Sequence, residues 1–175
     1  MLFIETQRLL FRTHEPADEA DFVAMHTDIE VRRYVGGQAW PLEKAQQRFQ
    51  NQYLGQPTET YGLWATILRA ERKYIGCCGL RGTEGGRSAH LGYYLARPYW
   101  RRGFATEAAE AFINVAFGRL GLLNVVAEVE KGNLASEHIL QKFGFKYVNR
   151  EEIPGSGRVI LSFELSRMDW EGEAT

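Results

Sequence analysis

Between residues 91 and 112 the sequence LGYYLARPYWRRGFATEAAEAF switches from the hydrophobic period of a strand to that of a helix. Residues 90–95 read as a strand. Downstream, Ala105, Ala108, Ala109, Phe112, Ile113, Ala116, Phe117 and Leu120 recur at helical spacing as a broad apolar stripe, and Gly121 is placed to end it. The valine-rich run Asn124–Glu130 then reads as a strand again. Such a β-α-β succession predicts a parallel pair with a right-handed crossover, since that hand lets a twisted strand and its helix pack back on one sheet.

The flanking segments supply the rest of the sheet. Residues 8–13 predict a short opening strand. Pro16 suits a first helical turn, with Ala20, Val23 and Met25 as a partial apolar face, and a second helix is expected from Pro41 through Leu42, Ala45, Phe49 and Tyr53. The intervening DIEVRRYVGGQAW reads as turn-rich. Gly62–Leu68 and residues 74–80 form a predicted hairpin, with RAERK as its turn. Asn133 can cap a helix that buries Ile139, Leu140 and Phe143 and stops at Gly144, where Phe145 can make the hydrophobic contact of the cap. Residues 145–149 and 159–165 predict a closing hairpin through EEIPGSG. The resulting order, β-α-α-β-β-β-α-β-α-β-β, defines an α/β (α+β-like) fold: a mixed, mostly antiparallel sheet with a central parallel β-α-β unit and helices on both faces.

At 175 residues the expectation is one domain, 1–175, large enough to bury a core without disulfides or metal. With 21 basic and 22 acidic residues the net charge is −1, so no global field favours nucleic acid or an anionic membrane, and anion binding has to be local. Cys77 and Cys78 are adjacent; strand neighbours point to opposite faces, which disfavours a disulfide and suits a reducing compartment. MLFIETQRLLFR carries no leader pattern, and no segment approaches membrane-spanning length, so a cytoplasmic protein is expected. No His/Cys/Asp cluster has metal-ligand spacing, and no Gly-x-Ser-x-Gly element is present.

The local anion site falls where the period changes. First-turn amides of a helix lack internal partners, and the helix dipole adds positive charge there. Gly103 admits a phosphate close to the backbone, Ala105 keeps the floor low, Arg101 and Arg102 add charge, and Thr106 offers a hydroxyl. The spacing alone is equally compatible with a solvated arginine pair beside an ordinary turn, and it matches neither a Walker loop nor the three-glycine dinucleotide fingerprint.

Several segments, in one order, resemble the GNAT superfamily of N-acetyltransferases, and most closely its RimJ/RimL-type branch: ETQRLLFR, DIEVRRYVGG, GLWATI, YIGCCGL, HLGYYLARPYWRRGFATEA and NVVAEVEKGNLASEHILQKFGF. The resemblance spans residues 5–170. It implies acetyl-CoA as co-substrate, with pyrophosphate on Arg101, Arg102, Gly103, Phe104, Ala105 and Thr106, Trp100 standing where the superfamily often has Gln or Arg. It implies pantetheine along the edge of Tyr93, Tyr94 and Leu95, and Asn133 and Ser136 beside the thioester. The tyrosine acid of many members falls on Leu140, which leaves Ser136 as the alternative acid; His90 stands where relatives commonly carry a glutamate base. The acceptor amine, a protein N-terminus or a small molecule, is expected to meet Tyr34 and Trp40 in the early segment, with Asp28 and Glu30 attracting it. A homodimer is expected from the family. Two other readings stay open: an inactive CoA-binding sensor or scaffold, and a nucleotide-binding module built on the same helix start.

Overall fold

A computed structural model describes residues 4–57 and 60–173; residues 1–3, where the leader-free start was read, and the ends of the 1–175 span lie outside them. Strands β1 (Ile4–Glu5) and β2 (Leu9–Arg12) are followed by helices α1 (Glu19–Thr27), α2 (Ile29–Arg32) and α3 (Leu42–Arg48). Strands β3 (Gly62–Leu68), β4 (Lys73–Gly82) and β5 (Ser88–Leu95) precede α4 (Phe104–Asn114), β6 (Asn124–Glu130) and α5 (Leu134–Lys142). Strands β7 (Lys146–Glu152) and β8 (Val159–Ser166) and helix α6 (Arg167–Glu173) complete the described chain. The eight strands form one sheet in the order β1-β2-β3-β4-β5-β6-β8-β7. The pair β5–β6 is parallel and its neighbours pair antiparallel, as the β-α-β succession requires.

Alternation along the strands gives the sheet two apolar faces. On one, Leu9, Phe11, Trp64, Leu91 and Leu95 meet Phe104, Ala108, Phe112 and Ile113 of α4, with Phe11 and Phe112 edge to face at 5.0 Å. On the other, Ala65, Ile67 and Cys77 meet Phe22 and Met25 of α1 and Phe49. Gly79 is a close-approach position: a Cβ there would lie 1.8 Å from the carbonyl oxygen of Gly62 on β3.

Helix α5 keeps both predicted ends. The Asn133 side chain accepts from the Ser136 N–H, and at the other end Gly144 adopts φ 76°. The Gly144 N–H bonds the Gln141 carbonyl and the Phe145 N–H bonds that of Leu140, which is the Schellman arrangement. Phe145 is therefore the buried contact of the cap, and β7 begins one residue later. Helix α2, in the segment read as turn-rich, forms because Asp28 accepts from the Glu30 N–H. Strand β1 and helix α6 were not expected; each is too short to leave a periodic signal.

Helix α1 buries a histidine. His26 is 1% exposed, neither ring nitrogen has a hydrogen-bond partner, and it stacks on Trp40 at 4.4 Å. Burial above all, then the charge of Arg32, pushes its pKa from 6.5 down to about 3. Unfolded His26 takes a proton near 6.5 that the folded form refuses until about 3, so its contribution is complete above 6.5 and is lost as pH falls. Denaturant titrations should show this histidine removing about 1.4 kcal/mol per pH unit across that window, and His26→Phe should flatten the slope.

Candidate active site

The parallel pairing of β5 and β6 is short. It joins Ser88–Asn124, Ala89–Val125 and His90–Val126, and then stops. Beyond His90, β5 follows β4 as far as Leu95, while β6 follows β8 as far as Glu130. The two strands diverge, and their facing edges carry backbone N–H and C=O groups with no partner across the gap. A cleft of about 370 Å³ fills the wedge, lined by residues 91–94 of β5, residues 127–130 of β6, Asn133, Ser136, His90 and Tyr34.

The turn into α4 lies at the end of β5. Arg101 has φ 58° and Gly103, the residue before α4, φ 77°, so a left-handed pair brackets Arg102 and turns the chain sharply into the helix. Trp100 Nε1 donates to the Leu95 carbonyl at 2.7 Å, locking the turn to the strand end. The turn is also clasped from the N-terminal segment. Arg8 Nη1 donates to the Arg102 carbonyl at 2.9 Å and Arg8 Nε to Glu107 Oε2 at 2.6 Å, while the guanidinium lies 4.5 Å above the Phe104 ring. Burial acts to raise the Glu107 carboxyl, but hydrogen bonds from Thr6 and Arg8 outweigh it and leave its pKa below the usual range. A Cβ on Gly103 would sit 3.3 Å from Arg8 Nη2, so the clasp and the absent side chain are matched. Neither Arg8 nor Glu107 was singled out from sequence, because their pairing spans the fold.

Ser136, on the first turn of α5, reaches back to the strand: its Oγ is 2.7 Å from the Tyr93 hydroxyl. Burial above all pushes the Tyr93 pKa up to about 12, against the opposing hydrogen bond to Ser136, so the phenol keeps its proton near neutral pH. Tyr93 was expected to contribute backbone; the structure adds its side chain. Leu140, the position where many relatives place a tyrosine acid, is wholly buried in the core.

His90 lines the cleft as the last β5 residue paired to β6. Glu128, exposed on β6, lines the same cleft and was missed. Its signal was present in NVVAEVE: Val125, Ala127 and Val129 are buried, which puts Glu128 and Glu130 on the opposite face. Tyr34 joins the cleft lining. Trp40 does not; it packs between the His26 ring and the Arg32 guanidinium, each 4.4 Å away. Asp28 and Glu30, read as attractants for the amine, are engaged elsewhere, with Arg97 at 3.3 Å and Arg33 at 2.6 Å. Among the described residues no His/Cys/Asp/Glu group could hold a metal ion, and no helix is long and apolar enough to cross a membrane.

The candidate site is thus a wedge between diverging parallel strands with a glycine turn at a helix start beside it. Residues 8–146 match the acetyltransferase (GNAT) domain model, so the chain belongs to the GNAT acetyltransferase family and is an N-acetyltransferase. The chain is 31% identical over 146 residues to the uncharacterized N-acetyltransferase YoaA of Bacillus subtilis (strain 168), covering 82% of each chain. It is 29% identical over 180 residues to the uncharacterized N-acetyltransferase p20 of Bacillus licheniformis, covering 95% of this chain and 97% of that one. In fold it is similar to a GNAT-family acetyltransferase from Bacillus anthracis, with a TM-score of 0.83 at 22% identity, covering 94% and 98% of the two chains.

Both cysteines are excluded as acetyl carriers by their surroundings. Cys77 and Cys78 are fully buried, and burial pushes the Cys77 thiol up to about 12 and the Cys78 thiol also well above its usual value. Native protein should therefore leave both thiols unreacted with a disulfide reagent at pH 8, and guanidinium should release two.

Proposed function

We propose that the enzyme acetylates a primary amine of a small molecule by direct attack within a ternary complex. The observation that carries this is the splay of β5 from β6 onto the turn of residues 101–106. Acetyl-CoA supplies an activated acetyl thioester. Its pantetheine amides suit the edge of β5 at Tyr93, Tyr94 and Leu95, which β6 leaves open, as an added strand would. Its pyrophosphate suits the amides of Gly103, Phe104, Ala105 and Thr106, beside Arg101 and Arg102. The thioester end then falls near Asn133 and Ser136.

The chain's own work is positioning and proton handling. Holding amine and thioester in line supplies effective molarities of about 10^5–10^8 M. A backbone N–H near Leu95 is the proposed oxyanion donor. As the amine nitrogen bonds the carbonyl carbon and the C–S bond breaks, the amine loses a proton to His90, directly or through water, and the departing sulfur gains one from Ser136. The Tyr93 hydroxyl, 2.7 Å from Ser136, shares that proton, and the one taken up at His90 passes through solvent to the hydroxyl pair before the next turnover, so the protons balance. This hydroxyl pair stands in for the tyrosine that Leu140 replaces, and it supports a RimJ/RimL-type cofactor half.

Release of free CoA thiol from acetyl-CoA over a broad amine panel tests the assignment; binding of acetyl-CoA without turnover of any amine would point instead to a CoA-sensing protein. Gly103→Asp, which adds bulk and negative charge at the helix start, should weaken acetyl-CoA at least about tenfold by calorimetry, and unchanged affinity would remove the pyrophosphate assignment. His90→Ala should lower kcat at least about a hundredfold while leaving acetyl-CoA affinity by calorimetry unchanged; a kcat equal to wild type excludes His90 as the base.

A further inference from the structure

Arg32 is a buried cation without an anion. It is 8% exposed, its Nε has no hydrogen-bond partner, and no carboxylate among the described residues forms an ion pair with it. Its one described side-chain contact of this kind is the Trp40 ring, 4.4 Å from the guanidinium carbon. Two further cations surround the same indole, Lys44 at 5.8 Å and Arg48 at 5.6 Å. Both are exposed and on α3, and Arg48 donates only to the neutral Gln52 amide.

Physical chemistry makes this arrangement costly as it stands. A guanidinium carries five donors and is stabilised inside a protein only when those donors and its charge are met. Burial above all lowers the Arg32 pKa; Tyr94 and Tyr53 act to raise it, and the charges of Arg158 and Arg48 to lower it. The neighbouring arginine shows the contrast. Arg158, beside Gly37, is neutralised by Glu130 at 2.6 Å, and Glu130 lines the cleft. Arg32 is not, although its carbonyl accepts from the N–H of Val35 at 2.9 Å and Val35 lines the cleft with Tyr34. The stack is held from behind by a histidine that stays neutral, so no competing charge arises from that side.

We propose that Arg32, assisted by Lys44 and Arg48 around Trp40, is an oxyanion subsite beside the acceptor cleft, and that the acceptor is a small amine bearing a carboxylate or phosphate. The proposal rests on the acetyl-transfer reading for the amine, and on the cations around Trp40 for the anion. The planar fork of Arg32 suits either oxyanion, and Trp40 fixes its plane. Trp40 thus serves acceptor recognition through the arginine it carries, without lining the cleft.

Two measurements separate failure of this subsite from failure of acetyl transfer. First, acetate and inorganic phosphate are titrated against the protein with saturating coenzyme A present, which occupies the phosphate turn, and the melting temperature is followed. Dose-dependent stabilisation should appear in wild type, vanish in Arg32→Met and weaken in a Lys44→Gln/Arg48→Gln double variant. The exposed pair keeps the test open should Arg32→Met not fold. No stabilisation, or equal stabilisation in all three proteins, overturns the subsite. Second, kcat/KM is compared within matched pairs: an amino acid against its methyl ester, and an aminoalkyl phosphate against its amino alcohol. Wild type should favour one charged member by about tenfold or more, and that ratio should collapse in the variants. The pair that discriminates names the oxyanion. Preference for the neutral members, or turnover confined to peptide N-termini, overturns the proposal. Anion stabilisation with no turnover of any amine would refute the transfer chemistry and leave the subsite standing.

Discussion

The divergence of β5 from β6 is the constraint on which the rest of this molecule depends. A parallel pair that stays in register for three residues and then opens leaves two rows of backbone groups inside a fold where such groups are otherwise paired. The sheet tolerates this because each strand keeps a full antiparallel partner on its outer side, β4 for one and β8 for the other. The opening therefore costs few hydrogen bonds and creates a slot with the geometry of a missing strand. An extended ligand rich in amides is the natural occupant.

While His90 stands at the apex of that slot, two helix starts meet at its wide end. Helix α4 starts there and contributes a positive terminus; α5 starts there too and contributes Ser136. The two helices are supported on the same apolar face, where Phe112 and Leu140 are wholly buried. On the opposite face α1 and Phe49 pack over Ala65, Ile67 and Cys77. One sheet thus separates two apolar cores, each packed under its own helices.

Much of this was legible in the chain. The change of period across residues 91–112 located β5, the turn and α4, and the alternation in Asn124–Glu130 located the other wall. Asn133 and Gly144 marked both ends of α5 because capping is a local rule. What escaped depended on contacts distant in sequence. The hydroxyl pair of Tyr93 and Ser136 joins residues 43 positions apart, and the Arg8–Glu107 pair joins residues 99 apart. Trp40 was read as an acceptor contact from its aromatic character and its place in a turn-rich segment. It packs instead, because His26 and Arg32 offer it two flat faces that only tertiary structure brings together.

The clasp made by Arg8 also bears on the order in which the site is assembled. A chain synthesised from its N-terminus has already made β2 when α4 emerges, so Arg8 can grip Glu107 and the Arg102 carbonyl as soon as the first turn of α4 exists. The far wall must wait, because β6 gains its outer partner only with β8, the last strand of the sheet. The turn into α4 is thus a product of the first two-thirds of the chain, and the cleft between β5 and β6 needs the last strands as well.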